Sequence, residues 1–264
     1  SIILISGKGH ETTQTYGKKI INISDKEIVK NIDERKLKFD KKNYNKFFNA
    51  EIIKKIVKKN KIRFEGVSIN SKQIKKNNLF IAIKGKNYDG HSFVKEALKN
   101  KAAFCVIQKR IGKLGKKKLI KYSSTINLLN KLAVLKRHHT NSKVIAITGS
   151  SGKTTLKTLL GKTLSEYGKT YFSQKSYNNH IGVPLSLCNL ENDHKYGVFE
   201  IGMSNPGEIR RLSNLVKPNI AIITNIGEAH IENFNSLNNI AKAKSEIIEN
   251  INQGGYLILN RDDK

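Results

Sequence analysis

Residues 144–164 constrain the fold of this chain more than any other stretch. Val144-Ile145-Ala146-Ile147 has the apolar composition of a buried strand, and Leu156, Leu159, Leu160 and Leu164 repeat at helical spacing. Between them runs Thr148-Gly149-Ser150-Ser151-Gly152-Lys153-Thr154-Thr155. A strand, a glycine-rich turn and a helix in that order aim free backbone N–H groups and the positive end of the helix at an anion. Lys153 adds a point charge for the β- and γ-phosphates of a nucleotide, and Thr154 a hydroxyl for Mg²⁺. The full phosphate-loop pattern also has a Gly five residues before Gly152, where this chain has Ile147. An ordinary strand–helix turn is the alternative.

The rest of the chain extends the same alternation. From about residue 125 onward, Leu128, Leu129, Leu132 and Leu135 mark a helix before the loop, and strands are predicted at 198–201, 220–223 and 256–259. Asn205-Pro206 is expected to open a helix with Pro in its first turn. Alternation of this kind predicts an α/β fold with a mostly parallel sheet and helices on both faces. Residues 47–124 read as a smaller α/β unit. It has a helix at Ile52, Ile53, Ile56 and Val57, strands at 66–69, 79–83 and 103–107, and an Asp89-Gly90-His91 turn entering a helix through Leu98. The basic stretch 109–118 reads as a solvated loop. Residues 1–36 form a β-β-α unit: a strand at 2–5, a loop at Gly7-Lys8-Gly9-His10-Glu11, a strand holding Ile20, Ile21 and Ile23, and a helix opened by the capping-box spacing at Ser24-Asp25-Lys26-Glu27. A lysine-rich linker follows to about Lys46.

The formal net charge of +28 over 264 residues suggests two partners or none. A nucleic-acid or anionic-surface binder would carry such a charge. A Lys-, Asn- and Ile-rich composition spread over solvated faces would also carry it. The second reading is favoured, because lysine outnumbers arginine and aromatics are not interleaved with the basic runs. No apolar run approaches the ~20 residues of a membrane-spanning helix. Cys105 and Cys188 are lone thiols without metal-ligand spacing, which fits a reducing cytoplasm. The chain starts at Ser1 and stops just past a strand-like run, so it is expected to be a piece of a longer protein.

Three charged residues stand out beyond the loop. Glu200 ends the run 198–201 and is followed by Gly202, which puts a carboxylate at the ligand crevice of an α/β sheet. It is either a metal ligand or a strand-end Glu facing solvent. His230 lies just past the strand at 220–223 and is either a metal or phosphate contact or a solvated loop residue. In a helix predicted over 236–251, the apolar stripe is Leu237, Ile240, Ala241, Ile247, Ile248 and Ile251, and Lys244 falls within it while Lys242 projects away. An inward lysine is costly unless paired or chemically altered, or unless it snorkels to water. Residues 178–185 form a polar-then-apolar turn that is either a plain loop entering a helix or a substrate-facing one.

Taken together, from about residue 37 to 264 the chain resembles the ATP-dependent Mur ligases of peptidoglycan synthesis, in particular the branch that joins D-Ala-D-Ala to UDP-MurNAc-tripeptide. The resemblance is carried by Asn78-Leu79-Phe80-Ile81-Ala82 with Asp89-Gly90-His91, by 148–155, by 178–185, by Glu200-Ile201-Gly202-Met203, by 224–230 and by Ala243-Lys244-Ser245-Glu246-Ile247. Residues 1–36 resemble instead the C-terminal end of the tripeptide-forming branch, through Gly7-Lys8-Gly9-His10-Glu11. The resemblance implies three segments: a tail at 1–36, a UDP-substrate domain at 37–124 and an incomplete ATP-binding domain at 125–264. It implies that Gly149, Ser150, Ser151, Gly152, Lys153, Thr154 and Thr155 hold ATP. Thr154 and Glu200 would ligate a first Mg²⁺ and His230 a second. Lys244 matches a carbamylated lysine that helps to hold metal, and Lys153, His230 and Lys244 would be catalytic. Ser71, Asn178 and Asn179 would face the UDP-substrate, and Gly7 and Glu11 match positions that recognise a diamino acid. The implied chemistry is amide formation through an acyl phosphate, by a cytoplasmic monomer without nucleic-acid partners. This chain departs from the family at Asn70-Ser71-Lys72, often Asp-Ser-Arg, and at Asn235, often Gly. A folylpolyglutamate-type ligase and a basic nucleotide- or nucleic-acid-binding module are the competing functions.

Overall fold

A computed structural model describes residues 2–5, 13–16, 19–22, 48, 53, 56–57, 62–85, 87–112, 116–173, 175–229 and 231–261. The expected helix at 24–32 and the linker to residue 46 lie outside the described residues. Three strands come first: β1 (Ile2–Ile5), β2 (Thr13–Tyr16) and β3 (Lys19–Asn22). The smaller unit follows with β4 (Val67–Ser68), β5 (Leu79–Ile81), α1 (Val94–Lys99), β6 (Phe104–Ile107) and β7 (Leu119–Lys121). The larger unit starts with α2 (Thr125–His139), β8 (Lys143–Thr148), α3 (Lys153–Ser165), β9 (Thr170–Phe172), α4 (Gly182–Cys188) and β10 (Tyr196–Glu200). It closes with α5 (Glu208–Val216), β11 (Ile220–Ile223), α6 (Ile231–Phe234), α7 (Leu237–Ser245) and β12 (Tyr256–Asn260).

The large sheet has the order β1-β12-β11-β8-β10-β9, and every pairing in it is parallel. The central strands β8, β10 and β11 are buried along almost their whole length, as strands covered on both faces must be. Their side chains alternate between two cores. Ile145, Ile147, Val198, Ile220 and Ile222 pack against Leu156, Leu160 and Leu164 of α3. Val144, Ala146, Phe199, Ala221 and Ile223 pack with α2, α4, α5 and α7 on the opposite face. Four parallel strands in the order β4-β5-β6-β7 make the second sheet, with Val94 and Ala97 of α1 against Phe80, Ala82 and Cys105.

Several sequence expectations need correction. The buried face of α3 is not the four-leucine stripe: Leu159 is 61% exposed, while Lys157 is fully buried. At about 100° per residue, position 157 lies near the centre of the arc through 160, 161 and 164, and 159 lies roughly 150° away from that centre. Pro206 is not in the first turn of α5; Gly207, at φ 80°, precedes the first helical residue and leaves Pro206 in the turn before. The helix predicted over 236–251 is α7 followed by a 3-10 segment at Glu246–Asn250, and Leu237 and Ile248 of its supposed stripe are exposed. The short strands β2, β7 and β9 have no counterpart among the sequence expectations because three or four residues carry too little periodicity. β1 pairs in parallel with β12, Ile3 beside Ile258, at the edge of the large sheet. β2 and β3 form an antiparallel hairpin.

Candidate active site

Strand order brings the site together. β8 lies between β10 and β11, so the loops leaving the C-terminal ends of all three converge in the crevice where parallel α/β sheets bind ligands. Gly149 has φ 148°, and a Cβ there would fall 1.8 Å from Thr224 Oγ1, so only glycine lets the loops cross this closely. Gly152, at φ 75°, turns the chain into α3 and has open space where a side chain would be. The loop after β11 then latches onto the glycine-rich loop. Asn225 Oδ1 accepts from the N–H groups of Ser150 (3.1 Å) and Ser151 (2.9 Å), and its Nδ2 donates to Ser151 Oγ (2.6 Å). Ser150 Oγ donates to the Gly227 carbonyl and accepts from the Gly227 N–H. Thr224 Oγ1 donates to the Ser151 carbonyl at 2.6 Å. The N–H groups of Ser150 and Ser151 are thus engaged in bracing the loop. The first-turn N–H groups from Lys153 to Thr155 are those a helix leaves without internal partners, and they lie beside an open surface.

Glu200, at the end of β10, is 2% exposed and is not a solvent-facing strand end. Its Oε2 accepts from Thr154 Oγ1 at 2.8 Å and its Oε1 from Asn178 Nδ2 at 2.7 Å. Ser176 Oγ lies 3.1 Å from Thr154 Oγ1. Lys157 Nζ lies 3.8 Å from Glu200 Oε2, with both side chains buried. Thr154, Asn178 and Glu200, three residues singled out from sequence, therefore form one cluster, joined by Ser176 and Lys157, which were not. Lys157 could have been found by the reasoning that found Lys244, because it sits inside the apolar arc of its helix. Ser176 and Asn225 carry no such signal, since their roles depend on which strands are neighbours.

Lys153 folds back over its own loop, donating to the carbonyls of Gly149 (2.7 Å) and Ser150 (3.1 Å). Burial lowers its pKa, and Glu200 opposes the shift. Lys244 points inward, 2% exposed. Burial, with the positive charge of Lys153 adding to it, lowers its pKa to about 8. His230, Gly7 and Glu11 lie outside the described residues. Asn179 spends its Oδ1 on the N–H groups of Ile181 (3.1 Å) and Gly182 (2.9 Å) at the start of α4. Ser71 is buried in the smaller unit, where its hydroxyl donates to Glu96 Oε2 at 2.6 Å. Between β4 and the larger unit is a cavity of about 380 Å³ lined by Asn70, Gln73, Lys75, Tyr177, Asn189 and His194, among others. Among the described residues, Glu191, Asp193 and His194 form the one compact acid–histidine group, and Lys169 already closes it, 2.7 Å from both carboxylates.

A central parallel sheet, a glycine-rich loop opening a helix, and a hydroxyl and carboxylate beside that helix's first turn are the features of α/β proteins of the phosphate-loop class. The oxygen pair of Thr154 and Glu200 suits a hard cation such as Mg²⁺. The chain belongs to the Mur ligase family. Residues 147–264 match the Mur ligase middle domain, and residues 63–137 match the Mur ligase family catalytic domain. Among curated relatives, the UDP-N-acetylmuramoyl-tripeptide–D-alanyl-D-alanine ligase of Buchnera aphidicola subsp. Baizongia pistaciae is 42% identical over 184 residues, covering 70% of this chain and 40% of the relative. The Escherichia coli K12 enzyme of the same name is 35% identical over 185 residues, with the same two shares. Among solved structures, MurF from Acinetobacter baumannii superposes with a TM-score of 0.72 at 31% identity, over 83% of this chain and 49% of that one. MurF ligase from Thermotoga maritima in complex with ADP gives 0.65 at 32% identity, over 75% and 46%. The chain thus spans about 40% of the length of the curated relatives it matches.

Proposed function

We propose that this chain is the substrate-binding and ATP-binding portion of a ligase that joins D-Ala-D-Ala to UDP-MurNAc-tripeptide. The observation that carries this is the Thr154–Glu200–Asn178 cluster at the mouth of the braced loop. The relatives' shared name and the ADP held by the Thermotoga maritima protein support it. The segments would be a tail at 1–36, a UDP-substrate domain at 37–124 and an ATP-binding domain at 125–264, in a cytoplasmic protein. Among the described residues no helix is long and apolar enough to cross a membrane.

In this reading the first turn of α3 and the Lys153 ammonium hold the phosphates of ATP. Thr154 and Glu200 would hold Mg²⁺, which when bound neutralises charge on the transferring phosphoryl group. Lys153 leaves its two loop carbonyls to meet the phosphates, and Asn178 keeps the carboxylate of Glu200 turned toward Thr154. Lys244, whose amine is far easier to deprotonate than an exposed one, is suited to carbamylation, since only a neutral amine adds CO₂. His230 would complete the metal site. The substrate's carboxylate would be activated as an acyl phosphate and attacked by the amine of D-Ala-D-Ala. The experiment is Glu200→Ala in the full-length ligase, following phosphate release that requires both UDP-MurNAc-tripeptide and D-Ala-D-Ala. Loss of at least 100-fold in that release, on the order expected for removing a charge-stabilising group, supports the assignment; near-normal turnover sinks it. The competing nucleic-acid module would instead show tight, steeply salt-dependent DNA or RNA binding.

A further inference from the structure

We propose that Lys157 is a positioning residue: it is the resident counter-ion of Glu200, and it makes divalent-cation binding at Thr154 and Glu200 conditional on the nucleotide. This rests on Glu200 being the cation's ligand. Lys157 is 0% exposed, in the middle of the buried face of α3. It is therefore not a phosphate contact of the kind Lys153 can be. Its Nζ donates to the Lys175 carbonyl at 3.0 Å and to Ser173 Oγ at 3.4 Å, and stands 3.8 Å from Glu200 Oε2. One ammonium thus ties the carboxylate to the segment that carries Ser176, whose hydroxyl reaches Thr154.

Burying an ammonium is costly, and the neighbouring Glu200 carboxylate offsets that cost for Lys157. The same pairing weakens the site for a bare cation. Mg²⁺ arriving at Glu200 would meet a carboxylate already balanced by Lys157, and would be repelled by Lys157 at close range in a poorly screened interior. Lys153 adds to this, because its charge also interacts with Glu200. Nucleotide phosphates reverse the balance by bringing several negative charges with the cation. The site is thereby built to accept the metal–nucleotide pair rather than the metal alone.

The test uses this 264-residue chain and Mn²⁺ as an EPR-visible stand-in for Mg²⁺, titrated with and without ADP. Wild type should bind Mn²⁺ weakly alone and much more tightly with ADP. Lys157→Met should bind Mn²⁺ alone on the order of tenfold or more tightly than wild type, and Lys157→Arg should behave as wild type. Equal affinity of wild type and Lys157→Met for Mn²⁺ alone overturns the proposal. Glu200→Gln separates this failure from failure of the site itself. If Glu200→Gln leaves Mn²⁺–ADP binding unchanged, Glu200 is not the ligand and both assignments fall. If it abolishes that binding while Lys157→Met gains nothing, only the role of Lys157 falls. Should Lys157→Met not fold, a counter-ion pair requires that Lys157→Met/Glu200→Gln regain folding. A double variant as unfolded as the single one overturns the proposal.

Discussion

Replacing Lys244 by Met isolates the energetic consequence of burying an amine in the site. The Lys244 pKa falls from 10.5 to about 8, chiefly through burial. Each pH unit of that displacement is worth about 1.4 kcal/mol, so holding the charged amine inside the fold costs about 3 kcal/mol relative to the neutral one. Linkage fixes the sign. A folded pKa below the unfolded one means that the unfolded chain holds the proton more tightly between pH 8 and 10.5. Lys244 therefore adds stability as pH rises through 8, and that contribution is lost as pH falls back through it. Lys244→Met keeps the volume and removes the charge, so it should be more stable than wild type at pH 7. By pH 9.5 about 2 kcal/mol of that advantage should disappear. The assay is urea denaturation of both proteins at pH 7, 8, 9 and 9.5 in CO₂-free buffer, with the difference in unfolding free energy plotted against pH. A flat difference, or a variant that loses ground as pH falls, would refute the reasoning. Adding bicarbonate should stabilise wild type and leave Lys244→Met unchanged if the neutral amine takes up CO₂.

Other perturbations separate the loop's bracing from its chemistry. Gly149→Ala places a methyl 1.8 Å from Thr224 Oγ1 at φ 148°, and should cost about 2–4 kcal/mol in thermal or urea unfolding; a loss under about 0.5 kcal/mol would show that the loops part easily. Asn225→Ala removes the side-chain brace from the Ser151 N–H and hydroxyl while the Ser150 N–H keeps the Asn225 main-chain carbonyl, so a loss of about 1 kcal/mol is expected, together with weaker binding of a fluorescent ADP analogue; unchanged ADP affinity would mean the loop holds its shape unaided. Cys105 is buried and its thiol pKa is pushed up to about 12, so a thiol reagent at pH 8 should label it only at the rate of unfolding.

Much of this was legible in the chain itself. The apolar run before Gly149, the glycines, and the leucines of α3 sufficed for a strand–loop–helix unit, because those signals are local. The inward Lys244 was legible for the same reason, since helical periodicity reports which face a residue takes before any partner is known. Asn235 shows a local rule at work too: it adopts φ 63°, a left-handed backbone that Asn tolerates better than most residues. The stripe failed where apolar character was taken for burial, at Leu159 and Leu237, and it passed over the buried Lys157.

The sequence by itself determined where the longer strands and helices of the large sheet lie, and that a glycine-rich loop opens one of the helices. Only the tertiary structure decided which strands are neighbours. With β10 and β11 on either side of β8, Glu200 meets Thr154 across 46 positions of chain, and Asn225 latches Ser150 and Ser151 across more than seventy. The same choice of neighbours set β1 beside β12. Local preferences act over a few residues, whereas strand order comes from burying both faces of one sheet at once, and no short-range pattern encodes it.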